Sequence, residues 1–307
     1  MSGKAFAFRS AQLGELADAS ADRDDSAALR RRLSSDGYLL LRGLLDRDAV
    51  LAARRACVAA LDEAGCLAAD SGADSLAAPI ASDAPDPPAI DPTQPPIWAL
   101  FRTAETLAFF SCLFNEEAMV YPKTLVRVKR TGGRTGIHYD SVYAGDGSPR
   151  VLTLWAPLGD VGVEEGAVAL CEGSHAAEGF ARLRDTYGRH NPDRDSIQGA
   201  DNAPGHFSWD LEDVTDNFGG RWLTADFRAG DALIFGRFMM HCGLENETAN
   251  YRISADARYQ PLHDPTDARF MAASGDHATL RHRYEVASRA LAGRTMEQAR
   301  KDWELPG

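Results

Sequence analysis

The stretch VLTLWAPLGDVGVEEGAVALCEG, residues 151–173, holds two apolar, β-rich runs, VLTLWAPL and GAVALCEG, joined by a glycine- and acid-containing connection. Short apolar runs bounded by turn residues read as buried strands. Upstream, KTLVRVKR (123–130) alternates. Downstream, RWLTADF (221–227) leads through Arg228–Asp231 into ALIFGRFMMHCG (232–243), and YRISADARYQP (251–261) closes the series. Strands at this spacing predict an all-β sandwich or barrel. The first 120 residues read differently. SAALRRRLSSDG (26–37) is an amphipathic helix stopped by Gly37, Tyr38–Leu41 a short apolar strand, and DRDAVLAARRACVAALDEAG (46–65) and IWALFRTAETLAFFSCLF (97–114) further helices.

Two segments break the pattern. Residues 67–97 contain seven of the fifteen prolines, between Pro79 and Pro96, so they form neither a regular helix nor a central strand. They are a surface excursion or a mobile flap. Residues 176–220 are long and polar, a lid or an inserted loop. Residues 277–303 read as a C-terminal helix anchored by Trp303. The expected organisation is a single domain over 1–307: a helical part (1–120), a β core (121–265) carrying the lid-like insertion 176–220, and the helix 277–303.

Composition narrows the function. The 307 residues are 44% apolar and 25% charged, an ordinary globular balance that excludes a disordered or collagen-like chain. No stretch approaches the ~20 apolar residues of a membrane span, and MSGKAFAFRSAQLGELADAS has no apolar core of a secretory signal, so a cytoplasmic protein without a membrane partner is expected. The net charge is −12 and no Lys/Arg-rich run occurs, which argues against a nucleic-acid partner. Five scattered cysteines without a CxxC fit a reducing compartment, each as a small core residue.

One H-x-D occurs, His138-Tyr139-Asp140. Alone it is a chance-level triplet, but it follows a strand and the turn Thr131-Gly132-Gly133. From a strand end, a histidine and a carboxylate two residues on can chelate one metal. His241, 103 residues later, is the best third ligand, although by itself it also reads as a hydrogen-bonded core histidine. Two histidines and one carboxylate on one face leave three positions open, the arrangement of non-haem Fe(II) oxygenases, with room for a bidentate cosubstrate and O2. Arg252 lies eleven residues past His241. On the next strand it can point into the same cavity, where a buried guanidinium needs an anion; on an edge strand it would be a surface residue. Arg258 is the second arginine of that strand.

DGYLLLRGLL (36–45), GIHYDSVYAGD (136–146), LTLWAPLGDVGVEEGAVALCEGSH (152–175) and HCGLENETANYR (241–252) together resemble the phytanoyl-CoA dioxygenase family over roughly residues 30–265. The resemblance implies a mainly β fold with flanking helices, a double-stranded β-helix (jelly-roll, cupin-like), with Fe(II) and the cosubstrate 2-oxoglutarate. It implies His138, Asp140 and His241 as catalytic iron ligands and Arg252 as partner of the cosubstrate's distal carboxylate. Trp155 matches the aromatic lying along the 2-oxoglutarate site; its alternative is core packing. Arg127, with Lys123 as rival, matches a polar strand residue that reaches the cosubstrate, or else is a solvated strand face. His175 matches a structural or entrance histidine, not a metal ligand, and the other five histidines read as surface residues.

Two departures stand out. Tyr139 replaces a frequent Gln, and Gly243 replaces a frequent Ser, which removes a hydroxyl from the cosubstrate site. The retained Asp140 argues against halogenation. The implied function is hydroxylation of an unactivated carbon of a small organic substrate in secondary metabolism, releasing succinate and CO2. Desaturation, epoxidation and ring rearrangement remain alternatives on the same fold. A Zn-dependent hydrolase and a non-catalytic jelly-roll binding protein are more distant ones.

Overall fold

The computed structural model describes residues 6–69, 76–191, 205–271 and 295–305. In chain order the elements are β1 (Leu13–Glu15), α1 (Ser26–Ser35), β2 (Tyr38–Leu41), α2 (Arg47–Glu63), α3 (Pro95–Leu100), α4 (Ala104–Phe114), β3 (Ala118–Val120), β4 (Leu125–Lys129), β5 (Thr135–His138) and α5 (Ser141–Ala144). There follow β6 (Leu152–Pro157), β7 (Val168–Cys171), α6 (Ala181–Asp185), α7 (Leu211–Phe218), β8 (Trp222–Thr224), β9 (Ala232–Gly236), β10 (His241–Gly243), β11 (Arg252–Pro261) and α8 (Met296–Asp302).

The strands form two sheets, one ordered β1-β8-β7-β10-β5 and the other β2-β9-β6-β11-β3, with β4 also paired to β11. This is the expected jelly-roll with helices around it. The amino-terminal part holds more strand than the sequence suggests, since β1 and β3 join the sheets beside the expected β2.

Burial explains the layering. The outer face of the second sheet presents Leu39, Leu154, Ile234, Ile253 and Tyr259 to Val50, Leu61, Ile97, Leu100 and Phe110 of the helices, all of them buried. Each large apolar side chain removed from water contributes roughly 1.5–3 kcal/mol. Phe110 also stacks on Tyr259, with ring centroids 3.7 Å apart. Between the sheets, Leu40, Leu170, Leu223 and Leu233 form an inner core that includes Trp155. The prolines of 67–97 cross this body, with Ala78 and Ile90 buried and Pro79 bridged to Asn250.

Pro95–Phe114 is long and apolar enough, by length and composition alone, to cross a membrane (mean hydropathy 1.3), contrary to the sequence expectation. Residues 101–103 divide it into α3 and α4, and both pack against the outer face of the sheet.

The structure adds detail at three other places. ALIFGRFMMHCG is not one strand: a turn at Gly236–Met239 carries the chain from β9 to β10, in the other sheet. After Asp140 the chain makes one helical turn, α5, before it enters β6. The described parts of 176–220 are packed, with Phe180, Leu183, Tyr187, Phe207 and Val214 in a second core beside Trp303. Of the C-terminal helix, 277–294 lies outside the described residues; α8 begins with a capping box between Thr295 and Gln298.

Gly37 shows how the amino-terminal motif is fixed. Its φ of +80° suits glycine, and a Cβ there would lie 2.3 Å from Met239 Cε and 2.5 Å from His175 Nδ1. His175 packs on this glycine and its Nε2 lies 3.2 Å from Ser34 O, a structural role. Gly37→Ala combines a left-handed backbone penalty of ~1–2 kcal/mol with two clashes. Its thermal unfolding midpoint should fall by several degrees, and an unchanged melt would refute this account of the turn.

Candidate metal centre

Strand register builds the centre. In the antiparallel β10–β5 pair His241 stands directly opposite His138, with a bulge between His241 and Gly243. Opposite residues of such a pair project side by side on one face, so the strand register brings together two imidazoles 103 positions apart in sequence. Their ring centroids are 4.2 Å apart. Asp140, two residues past His138, completes the group. One ligand atom from each residue lies within 4.8 Å of the others, and all three residues are buried.

The donor set fits a divalent metal. His138 Nδ1–H donates to Gly136 O (2.8 Å) and His241 Nδ1–H to Met239 O (2.9 Å). This fixes the tautomers and leaves both Nε2 atoms facing Asp140 Oδ1, at 3.7 and 3.8 Å. Burial first, then the neighbouring imidazoles, pushes His138 well below its usual range, and burial likewise lowers His241. Neutral imidazoles are what a metal requires. Burial alone would raise the Asp140 carboxyl, but Arg258, both histidines and Thr153 outweigh it and hold it well below the carboxylate range. Thr153 donates to Asp140 Oδ2 (2.5 Å), and Arg258 Nη2 lies 3.2 Å from Oδ1.

The cavity at the centre is lined on one side by β11. All ten residues of that strand are buried. Ile253, Ala255, Ala257 and Tyr259 face the helices, so the alternation turns Arg252, Ser254, Asp256 and Arg258 to the interior. Arg252, 2% exposed, donates to Gly166 O from Nε (3.0 Å) and Nη2 (2.8 Å) and to Ser254 Oγ from Nη1 (2.7 Å). These acceptors are neutral, and no carboxylate among the described residues forms an ion pair with it. Burial, with Arg127 nearby, lowers its pKa to about 10.

Trp155 also lines the cavity, and its buried indole N–H has no partner among the described residues. Arg127 lines it too, 3.1 Å from Asp256 Oδ1. Its rival Lys123 lies outside it, near Arg269 O and over Phe270. Gly243 leaves room for the guanidinium, since a Cβ there would lie 3.0 Å from Arg252 Nη2 and 3.1 Å from Thr135 Oγ1.

Two histidines that the sequence assigned to the surface are not there. His190 is buried against Trp303. His206 lies 5.4 Å from His138, centroid to centroid, in a segment tied to β5 by Phe207 N–H to Ile137 O (2.7 Å) and Ile137 N–H to Ser208 O (2.8 Å). Gly136 accommodates it, because a Cβ there would meet His206 Cγ at 2.7 Å. Four cysteines are buried as expected, but Cys112 is exposed.

A jelly-roll carrying two histidines and a carboxylate on one face defines the class: an Fe(II)- and 2-oxoglutarate-dependent dioxygenase. The family model for phytanoyl-CoA dioxygenase (PhyH) matches residues 33–254, and the chain belongs to that family. It is similar to 1-deoxypentalenic acid 11-beta-hydroxylase of Streptomyces arenae, 27% identical over 80% of this chain and 85% of that protein. The Streptomyces exfoliatus hydroxylase of the same name is 26% identical over 81% and 86%. Among solved structures, the epimerase SnoN from nogalamycin biosynthesis has a TM-score of 0.53 at 20% identity, covering 83% of this chain and 91% of that one. EctD from S. alaskensis has a TM-score of 0.54 at 18% identity, covering 81% and 84%. Both structural likenesses concern the fold.

Proposed function

We propose that the enzyme hydroxylates an unactivated carbon of a small organic metabolite in secondary metabolism, with His138, Asp140 and His241 holding iron and Arg252 anchoring 2-oxoglutarate. The observation that carries this reading is the cross-strand His138–His241 pair beside Asp140, in a cavity lined by the buried cation Arg252, whose hydrogen-bond partners among the described residues are neutral. The named activity of the Streptomyces relatives supports hydroxylation and an organic acid as the kind of substrate. The buried free cysteines fit a cytoplasmic setting. The two sheets share the buried core, which supports one catalytic domain.

When bound, iron and 2-oxoglutarate supply the activation of O2, with release of CO2 and succinate. The chain's residues do the positioning. The Nδ1 hydrogen bonds orient the imidazoles, Thr153 and Arg258 hold the Asp140 carboxylate, and the guanidinium fork of Arg252 suits a carboxylate. Trp155 offers its indole N–H and an apolar wall, and Arg127 closes the rim against Asp256. Anaerobic addition of Fe(II) and 2-oxoglutarate should give a weak visible charge-transfer band, and air should then yield succinate. A chain that gives no band and hydrolyses esters with Zn²⁺ would overturn the reading.

Gly243→Ser should raise the KM for 2-oxoglutarate without changing metal affinity, because the new Cβ crowds Arg252. An unchanged KM would show that the glycine does not set the guanidinium's position.

A further inference from the structure

A second cavity, of about 170 Å³, lies next to the iron centre and plays no part in the mechanism above. Its lining includes Ser141, Gly188, Arg189, Asn191, Arg237 and Phe238. Ser141 directly follows Asp140, and its backbone N–H donates to Arg237 O (2.9 Å), so the wall of this cavity is covalently continuous with the metal site.

Two donors in that wall are orphaned. Ser141 is 3% exposed and its hydroxyl has no partner among the described residues. Arg237 Nε is also buried without a partner there. Among the described residues the guanidinium bonds through Nη1 alone, to Gly145 O at 3.2 Å, and it lies over the Phe238 ring at 4.9 Å. No described carboxylate pairs with it. Asp146, the carboxylate in the lining, accepts from Asn191 Nδ2 at 2.7 Å. Burial first, and then Arg189 close by, lowers the pKa of Arg237, which places two guanidiniums within electrostatic reach of one another. A buried hydroxyl and a buried guanidinium Nε–H left unsatisfied cost free energy that a ligand with acceptor oxygens recovers.

We propose that this cavity is an oxyanion site, in which Arg237 and Ser141 bind a carboxylate or phosphate group, with Arg189 adding positive charge at its mouth. The group belongs either to an organic acid or to free phosphate. The site is separate from the 2-oxoglutarate anchor, since Arg252 lines the other cavity.

The test titrates inorganic phosphate calorimetrically into the full chain loaded with Mn(II) and saturating 2-oxoglutarate, so that Arg252 is already engaged. One saturable site is expected. Arg237→Gln should weaken it roughly 10- to 100-fold, as for a lost charge-assisted hydrogen bond, and Ser141→Ala roughly 2- to 10-fold. Both variants should keep the Fe(II)–2-oxoglutarate band, which separates failure here from failure of the oxygenase reading. Ser141→Ala also keeps the test alive if Arg237→Gln does not fold. Adamantane-1-carboxylate and its methyl ester then tell the sources apart. Displacement of phosphate by the acid and not by the ester assigns the site to an organic carboxylate, and no displacement assigns it to free phosphate. Absence of saturable phosphate binding, or binding unchanged in both variants, overturns the proposal.

Discussion

Asp140→Ala should lose iron and with it essentially all turnover. Asp140 supplies the anionic donor of the three, and it sits opposite two imidazoles that burial keeps neutral. Removing an outer hydrogen bond to a metal ligand typically costs ~10- to 100-fold in affinity; removing the ligand itself should cost more than about 100-fold. The alanine also strands Arg258, whose Nη2 lies 3.2 Å from Asp140 Oδ1 and which then keeps Asp256 as its carboxylate partner among the described residues, and leaves Thr153 without its acceptor. Some loss of stability is therefore expected beside the loss of metal. Asp140→Asn separates the two effects, because it keeps the shape and one acceptor oxygen while discarding the charge. Metal titration of both variants, with a melt as control, is the check; normal iron binding by Asp140→Ala would refute the assignment. Added chloride should give no chlorinated product with the unaltered enzyme.

Arg252→Ala should abolish useful 2-oxoglutarate binding. Truncating one partner of a buried, hydrogen-bonded charge pair costs roughly 2–5 kcal/mol, which corresponds to about 30- to 4,000-fold in affinity. Arg252→Lys keeps the charge but cannot reach Gly166 O, Ser254 Oγ and a carboxylate as one planar fork does, so it should be impaired as well. The measurement is the 2-oxoglutarate dissociation constant read from the charge-transfer band. An unchanged constant in Arg252→Ala would pass the role to another arginine. Arg258 is poorly placed for it, being committed to Asp140 and Asp256.

Much of this was legible in the sequence, for identifiable reasons. Apolar runs and helix stops are local signals, so β2, β6, β7 and α2 fall where periodicity and Gly37 or Asp46 put them. The triad could be named because H-x-D carries its own spacing. Its convergence with His241 was not local, since it depends on a strand register across 103 residues. β11 misleads in an instructive way. RISADARYQ alternates like a half-exposed strand, yet its polar side faces the catalytic cavity and not water. That is why Asp256 and Thr153 carried no signal and Arg258 was named without its place beside Asp140: a buried charge and a solvated one look alike in one dimension. His206 was hidden likewise, because its place against Gly136 depends on a chain segment returning to the edge of β5. The turn inside ALIFGRFMMHCG was masked by a run that stays apolar on both sides of it.

The polar face of β11 also sets an electroneutrality condition. Among the described residues, Arg127, Arg252, Asp140 and Asp256 line the cavity and Arg258 pairs with both carboxylates from beside it, so these three guanidiniums and two carboxylates carry an excess of one positive charge. A ferrous ion alone would raise that excess to three, and the 2-oxoglutarate dianion alone would reverse its sign. Taken up together they leave it unchanged. Each therefore lowers the electrostatic cost of the other, and linkage makes that help mutual. Succinate carries the same two charges as the cosubstrate it replaces, so a turnover ends with the interior at the ionic balance it started from.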